Sequence, residues 1–281
     1  MQRWAKRLLL GTMGAATLFL LAYGLFWPRA ESVMGEAQGG ARVVVIDPGH
    51  GGEDGGATGV SGTREAELNL DISLRLRDLL SLAGCRTRMV RQTDTAVYTG
   101  PCASISEKKV SDLKNRVRLV NETPQALLVS IHQNFFSEGR YDGAQVFYAA
   151  TPGSAGLAER AQQALRDALD PDNRRACKRA ASVYLMEKIH CTGILVECGF
   201  LSNYAEEQRL LDAQYQKRLA AALAGAITGF LTEGELAWRQ KRYLSAISAG
   251  MKRRAGRASA RPAAPGTPWW NSRTRRRRRR L

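Results

Sequence analysis

The chain has 281 residues and a formal net charge of +16, and its length allows one large domain or two small ones. Residues 236–281 hold 15 of the 42 Lys and Arg residues and none of the 26 Asp and Glu residues. The rest of the chain holds 27 basic and 26 acidic residues and is therefore nearly neutral. The high net charge belongs to the tail and is not evidence for a basic surface on the folded part.

An uncharged run from Leu8 to Trp27 stands near the amino end, directly after Arg3, Lys6 and Arg7. Twenty residues at about 1.5 Å rise each span a hydrocarbon core of roughly 30 Å. The basic residues before the run favour that end in the cytoplasm. We therefore predict a signal anchor at residues 1–29, a linker at 30–41 and a membrane-anchored, extracytoplasmic domain. Cleavage as a secretory signal is the alternative, and it would make the protein secreted.

Strand-like and helix-like patterns alternate after the linker. Apolar runs predict strands, and residues recurring at helical spacing, such as Leu68, Ile72, Leu76, Leu79 and Leu80, predict helices. The predicted strands are 42–47, 86–91, 126–131, 144–148 and 193–197, and the predicted helices are 66–83, 112–121, 155–169 and 212–231. This alternation predicts a single α/β domain over residues 42–235, with a mostly parallel sheet covered by helices.

Two segments lack a regular pattern. Residues 93–111 carry no periodicity and are predicted to form a surface loop that borders a substrate cleft. Ser111 is predicted to be the N-cap of the helix that follows. Residues 236–281 end in Arg275–Arg280 and are predicted to be a disordered basic tail, because such a run repels itself and buries little apolar area. An anionic polymer is a candidate partner for the tail. The predicted outward orientation argues against nucleic acid.

The residues that carry chemistry lie where predicted strands end. His50 and His132, two of only three histidines, close the apolar runs 43–46 and 127–131, and Glu197 closes 194–196. Open α/β sheets bind their ligands at the carboxyl ends of strands. Two imidazoles and one carboxylate, with a fourth position left to water, form the ligand set of a hydrolytic zinc site. The pattern predicts a zinc hydrolase.

Roles within this set follow in part from the neighbouring residues. Glycines around His50 allow the backbone to approach a ligand closely. Glu65 and Glu67 both begin a predicted helix, and their spacing does not decide which of them turns towards His50. Desolvation at a strand end would raise the pKa of Glu197 towards the range that suits a general base. His190 follows no apolar run, and we predict no catalytic role for it.

Four blocks in this order resemble the zinc-dependent N-acetylmuramoyl-L-alanine amidases. A narrower resemblance, to the germination-specific branch that acts on spore cortex, rests on Leu113–Asn121, Gly143–Tyr148 and the short N-terminal anchor. The four blocks are Asp47-Pro48-Gly49-His50-Gly51-Gly52, Arg64–Leu70, Ser130–Asn134 and Val196–Asn203, and the similarity spans roughly 43–231. The resemblance implies that His50, Glu65 and His132 bind Zn²⁺ and that Glu197 is the catalytic carboxylate. It thereby selects Glu65 over Glu67. The basic tail lies outside the family pattern.

The resemblance implies hydrolysis of the amide between N-acetylmuramic acid and L-alanine in peptidoglycan. The narrower similarity implies a part in spore cortex maturation, with removal of stem peptides before formation of muramic δ-lactam. Three alternatives are an inactive, amidase-like wall-binding or regulatory protein, a polyanion-binding protein led by the arginine tail, and a zinc peptidase. The last has no HExxH-type signature in this sequence.

Overall fold

The computed structural model of the chain describes residues 42–234. The predicted signal anchor, the linker and the basic tail lie outside the described residues. Between residues 42 and 234, no helix is both long enough and apolar enough to cross a membrane. The described residues up to Thr228 belong to one compact unit. Residues 229–234 belong to a second unit and are helical.

The first unit alternates strands with helices, as the sequence predicts. Its elements, in chain order, are β1 (Val43–Pro48), α1 (Glu65–Leu82), β2 (Arg86–Met89), α2 (Ile105–Asn121), β3 (Ala126–Asn134), β4 (Gln145–Tyr148), α3 (Ser154–Leu169), β5 (Lys178–Arg179), α4 (Tyr184–Lys188), β6 (Thr192–Phe200), α5 (Tyr204–Leu211) and a helix α6 over residues 213–228.

The strands form one six-stranded sheet in the order β2-β1-β3-β6-β4-β5. All neighbouring strands run parallel except β4 and β6, which are antiparallel. The predicted α/β fold with a mostly parallel sheet is therefore confirmed. The central strands β1, β3 and β6 run in the same direction, so their carboxyl ends meet at one edge of the sheet.

One face of the sheet changes from apolar to polar along each central strand. Successive side chains of a strand point to opposite faces, so every second residue shares a face. Val45, Leu128 and Leu195 belong to a buried core cluster with side chains of α2 and α4. The residues two positions further along these strands are Asp47, Ser130 and Glu197, and all three line a cavity. The face that supplies the core in the middle of the sheet therefore supplies polar groups at its carboxyl edge.

The predicted start of the second helix is wrong. Helix α2 begins at Ile105 rather than 112, and its N-cap is Ser104, whose hydroxyl accepts the N–H of Glu107 at 3.2 Å. The Glu107 carboxylate in turn accepts the N–H of Ala103 at 2.8 Å, which resembles a capping box. Ser111, the predicted N-cap, lies inside the helix and exchanges hydrogen bonds with Thr99. The loop before the helix is correspondingly shorter than predicted.

Three short elements were not predicted, namely β5, α4 and α5, which contain two, five and eight residues. Residues 182–185, around the start of α4, form one wall of the cavity, and α5 carries two buried glutamates. Segments this short contain too few residues for apolar periodicity to appear. Their positions depend on contacts with distant parts of the chain.

Candidate functional site

Four predicted site residues lie at the carboxyl edge of the sheet. His50 follows the end of β1, and His132 and Glu197 are Cα partners across the parallel pair β3–β6. Glu65 is the first residue of α1. Because α1 follows the connection that leaves the carboxyl end of β1, its amino end lies at the same edge.

Glu65 bridges the two histidines. Its Oε2 lies 3.2 Å from His50 Nε2, and its Oε1 lies 3.0 Å from His132 Nδ1. The two imidazole rings are edge to face, with centroids 5.0 Å apart. One nitrogen or oxygen atom from each of the three residues lies within 4.8 Å of the others. The structure thus brings together three residues that are far apart in the sequence.

The Glu65 carboxylate is held in place by backbone and side-chain donors. Its Oε2 accepts the N–H of Ala57 at 2.9 Å, and its Oε1 accepts the N–H of Gln133 and an amide hydrogen of Asn69. Glu65 is buried, whereas the side chain of Glu67 is 58% exposed and pairs with Arg64. The sequence spacing did not decide which of the two glutamates turns towards His50. In the structure, Glu65 faces the histidines and Glu67 does not.

Glycines make room for this arrangement at two positions. A Cβ on Gly49 would come within 2.2 Å of the His132 ring, and one on Gly56 would come within 2.5 Å of Glu65 Oε2. Gly56 also has a φ of +69°, which a residue with a side chain rarely adopts. Side chains at either position would separate the groups that now meet.

Two buried arginines fix the backbone that precedes and includes His50. Arg91 donates to the carbonyls of Pro48 and Gly49, each at 3.0 Å. Arg116 donates to the carbonyls of Pro48 and His50, at 2.9 and 2.7 Å, and forms an ion pair with buried Asp47. Arg91 thus holds the backbone immediately before His50 in place. Arg116 was not singled out among the site residues.

Glu197 faces a cavity of about 520 Å³ that His50 and His132 also line. Its Oε2 is buried and has no hydrogen-bond partner among the described residues. Burial raises the pKa of Glu197 above its ordinary value, and the charge of Glu65 adds to the rise, against the opposing effect of the two histidines. A buried carboxylate oxygen without a partner is poised to accept a proton.

The charges of the site are strongly coupled. Burial by itself would lower the pKa of His50, but hydrogen bonds and charge from Glu65 and then Asp54 outweigh it and raise this pKa to about 9. Burial by itself would raise the pKa of Glu65, but hydrogen bonds and charge from His132 and His50 hold it far below its ordinary value. A cation bound between this carboxylate and the two imidazoles would have to displace the proton that the raised pKa places on His50.

The donor set fits a zinc ion. Two imidazole nitrogens and a carboxylate oxygen match the ligands of hydrolytic zinc sites. Asp54 Oδ2 lies 3.0 Å from His50 Nδ1, which leaves Nε2 of that ring facing Glu65. Among the described residues, His50, Glu65 and His132 form the one group of His, Cys, Asp or Glu with this spacing. His190 is exposed and does not belong to this group.

Comparison with known proteins agrees with this geometry. The family model described as N-acetylmuramoyl-L-alanine amidase matches residues 44–229. The germination-specific N-acetylmuramoyl-L-alanine amidase of Bacillus subtilis (strain 168) is 35% identical over 193 residues, which cover 68% of this chain and 81% of that protein. The amidase AmiA of Escherichia coli (strain K12) is 27% identical over 236 residues, covering 68% and 77% of the two chains.

Solved structures include a similar chain, the CwlD amidase from Clostridioides difficile in complex with the GerS lipoprotein. It is 34% identical and has a TM-score of 0.66, and the match covers 68% of this chain and 98% of that one. The matched region of this chain is therefore about as long as the whole CwlD chain in that structure.

Proposed function

The chain belongs to the N-acetylmuramoyl-L-alanine amidase family, and from this premise we propose that it uses zinc held by His50, Glu65 and His132, with Glu197 as general base. It is an amidase whose substrate is peptidoglycan. The bond hydrolysed is the amide between N-acetylmuramic acid and the L-alanine of the stem peptide. The proposal concerns the metal, the residues that hold it and the biological setting.

The support for the metal is the convergence of His50, Glu65 and His132, with ligand atoms within 4.8 Å of one another beside Glu197. A zinc ion held by these residues would supply Lewis-acid chemistry, polarising the scissile carbonyl and lowering the pKa of water towards about 7. Glu65 contributes its charge and His50 and His132 their nitrogen lone pairs, so the histidines must be neutral to bind.

In the proposed reaction, Glu197 first accepts and then donates a proton. In its ionised form it accepts a proton from the attacking water as the carbon–oxygen bond forms. It then donates that proton to the departing L-alanine nitrogen as the carbon–nitrogen bond breaks. The second proton of the water also passes to the amine, so the products are the free lactyl carboxylate and the ammonium group of L-alanine, and the carboxylate of Glu197 is restored. Burial suits this role, because a raised pKa makes the carboxylate a stronger base.

The reaction and its metal dependence can be tested together. Purified peptidoglycan is digested with the protein before and after treatment with a chelator, and new amino termini are identified. We expect free L-alanine amino groups that disappear with the chelator and return when zinc is added. Release of L-alanine termini at an unchanged rate after complete zinc removal would contradict zinc dependence. Absence of such termini under all conditions would favour a wall-binding protein without activity.

The setting we propose is spore cortex maturation. It is supported by the similarity to a germination-specific amidase, of which this chain covers 81%. Removal of stem peptides would free muramic acid for conversion to its δ-lactam by other enzymes. In spores that lack the gene, we expect cortex muropeptides without muramic δ-lactam, measured by mass spectrometry. An undiminished δ-lactam content would contradict this role.

The location we propose is extracytoplasmic, with residues 1–29 as a membrane anchor, 42–235 as the catalytic domain and 236–281 as a basic tail for which an anionic polymer is a candidate partner. It is supported by the position of peptidoglycan outside the membrane and by the uncharged run after Arg7. Protease added to intact protoplasts should digest the catalytic domain and leave only the amino-terminal anchor segment in the membrane. Protection from the protease would contradict this orientation.

A further inference from the structure

A chain of contacts leads from the surface of α2 to the ring of His50. Lys109 Nζ lies 3.0 Å from Asp54 Oδ1, and Asp54 Oδ2 lies 3.0 Å from His50 Nδ1. Each carboxylate oxygen of Asp54 therefore serves a different partner. Helix α2 carries none of the proposed zinc ligands, yet Lys109 connects it to one of them.

His50 needs external support for its conformation. Its φ is +61°, in the left-handed region that residues with a side chain rarely occupy. Such a backbone persists only where surrounding contacts determine it. The His50 carbonyl accepts from Arg116, and Asp54 is paired with Gly51 through two backbone hydrogen bonds of 2.9 and 3.3 Å. The backbone is thereby fixed, but within residues 42–234 only Asp54 and Glu65 contact the ring nitrogens.

We propose that Asp54 is a positioning residue that sets the orientation and tautomer of His50, and that Lys109 holds Asp54 in place for this role. By accepting the Nδ1–H, the Asp54 carboxylate keeps the proton on Nδ1 and leaves the lone pair of Nε2 directed towards Glu65. A carboxylate behind a ligating imidazole orients the ring and increases its basicity. This inference rests on the proposed function, since it treats His50 as a zinc ligand.

Lys108 provides a matched control. It neighbours Lys109 in the sequence and also forms an ion pair, but with Glu53, at 2.8 Å. Neither Lys108 nor Glu53 contacts a proposed ligand through any described hydrogen bond. The two lysines thus differ in whether their acidic partner leads on to His50. A general effect of removing positive charge from α2 would appear equally in both variants.

The experiment measures the zinc dissociation constant of the full chain by competition with a chromophoric chelator. We expect Asp54→Ala to weaken zinc binding by about tenfold to a hundredfold. Asp54→Asn should weaken it less, because the amide oxygen still accepts a hydrogen bond from Nδ1. Lys109→Ala should weaken it roughly two- to fivefold, in keeping with a partly exposed ion pair, while Lys108→Ala leaves it unchanged.

A second readout follows the tautomer directly. The chain contains only three histidines, so ¹⁵N-labelled imidazoles can be assigned individually. In the zinc-loaded protein we expect a slowly exchanging Nδ1–H on His50 that is lost in Asp54→Ala and retained in Lys108→Ala. Wild-type zinc affinity in both Asp54 variants would overturn the inference, and equal effects of Lys109→Ala and Lys108→Ala would overturn its Lys109 part. If the wild-type protein binds no zinc, the proposed function itself fails.

Discussion

His132 and Glu197 lie side by side as Cα partners on the adjacent parallel strands β3 and β6. The proposed zinc ligand and the proposed general base are therefore both carried by the central sheet. A site built on paired strands positions its groups more precisely than one built on loops. His50 and Glu65 lie outside strands, and their positions depend instead on arginine clamps and on the hydrogen bonds that Glu65 accepts.

The first prediction separates the base from the metal site. Glu197→Gln keeps the size of the side chain but removes its ability to accept a proton, so we expect kcat to fall by at least about a hundredfold. Bound zinc should remain near one ion per chain, because Glu197 is not among the proposed ligands. Peptidoglycan cleavage and metal content are measured on the same preparation. Wild-type cleavage by this variant would exclude Glu197 as general base.

The second prediction concerns pH. Burial raises the pKa of Glu197 above its ordinary value of 4.5. Because only the ionised form accepts a proton, kcat/KM should fall as the pH is lowered through this raised pKa. The midpoint of the acid limb should therefore lie above pH 4.5. Zinc content is determined at each pH, since protonation of the histidines also releases metal. A midpoint at or below pH 4.5 with zinc fully bound would contradict the assignment.

The third prediction compares two glutamates on the first turn of α1. Glu65→Gln should weaken zinc binding by more than about a hundredfold, because it removes the anionic ligand between the histidines. Glu67→Gln is the matched control, since that side chain is 58% exposed and, in the described part of the chain, pairs only with Arg64. Equilibrium dialysis against buffered zinc measures both variants. Similar affinities in the two variants would contradict the proposed ligand set.

The sequence predicts much of this site because apolar runs locate the strands of a parallel sheet. Once β1, β3 and β6 are identified, their carboxyl ends must meet, and the residues that follow the apolar runs must come together. The choice between Glu65 and Glu67 could not be made this way. It depends on the angle at which α1 begins relative to β1, and this angle is set by tertiary packing.

Other features were missed because they depend on contacts between distant segments. The start of α2 has no apolar periodicity, because its first turns expose Ile105 and Val110 and carry charged residues between them. Asp54 lies four residues after His50 in a glycine-rich loop, but its link to Lys109 spans 55 positions and appears only in the folded chain. Arg116 likewise reaches across 69 positions to Asp47.

The fourth prediction tests the observed start of α2. Ser104→Ala removes the hydroxyl that accepts the N–H of Glu107, and we expect the free energy of unfolding to fall by about 1 kcal/mol. Ser106→Ala is the control, because an exposed serine inside the first turn has no capping role and alanine favours a helix by a few tenths of a kcal/mol. Urea denaturation measures both variants. An equal effect of the two substitutions would argue against Ser104 as the cap.

The fifth prediction concerns the buried ion pair beneath the site. Asp47 and Arg116 are 1% and 3% exposed, so Arg116→Met leaves a buried carboxylate without its cation. We expect the free energy of unfolding to fall by about 3–5 kcal/mol. Arg118→Met, on the exposed side of the same helix, should change it by less than about 0.5 kcal/mol.

A double variant separates the effect of the unpaired Asp47 charge from the effect of the packing lost with Arg116. Adding Asp47→Asn to Arg116→Met removes the unpaired carboxylate, so part of the lost stability should return, as measured by urea denaturation at neutral pH. We expect Arg116→Met also to weaken zinc binding, and the double variant should not restore the zinc affinity, because the carbonyls of Pro48 and His50 still lack their Arg116 donor. Recovery of both properties together would show that the arginine acts only through Asp47 and that the backbone clamp on His50 is dispensable.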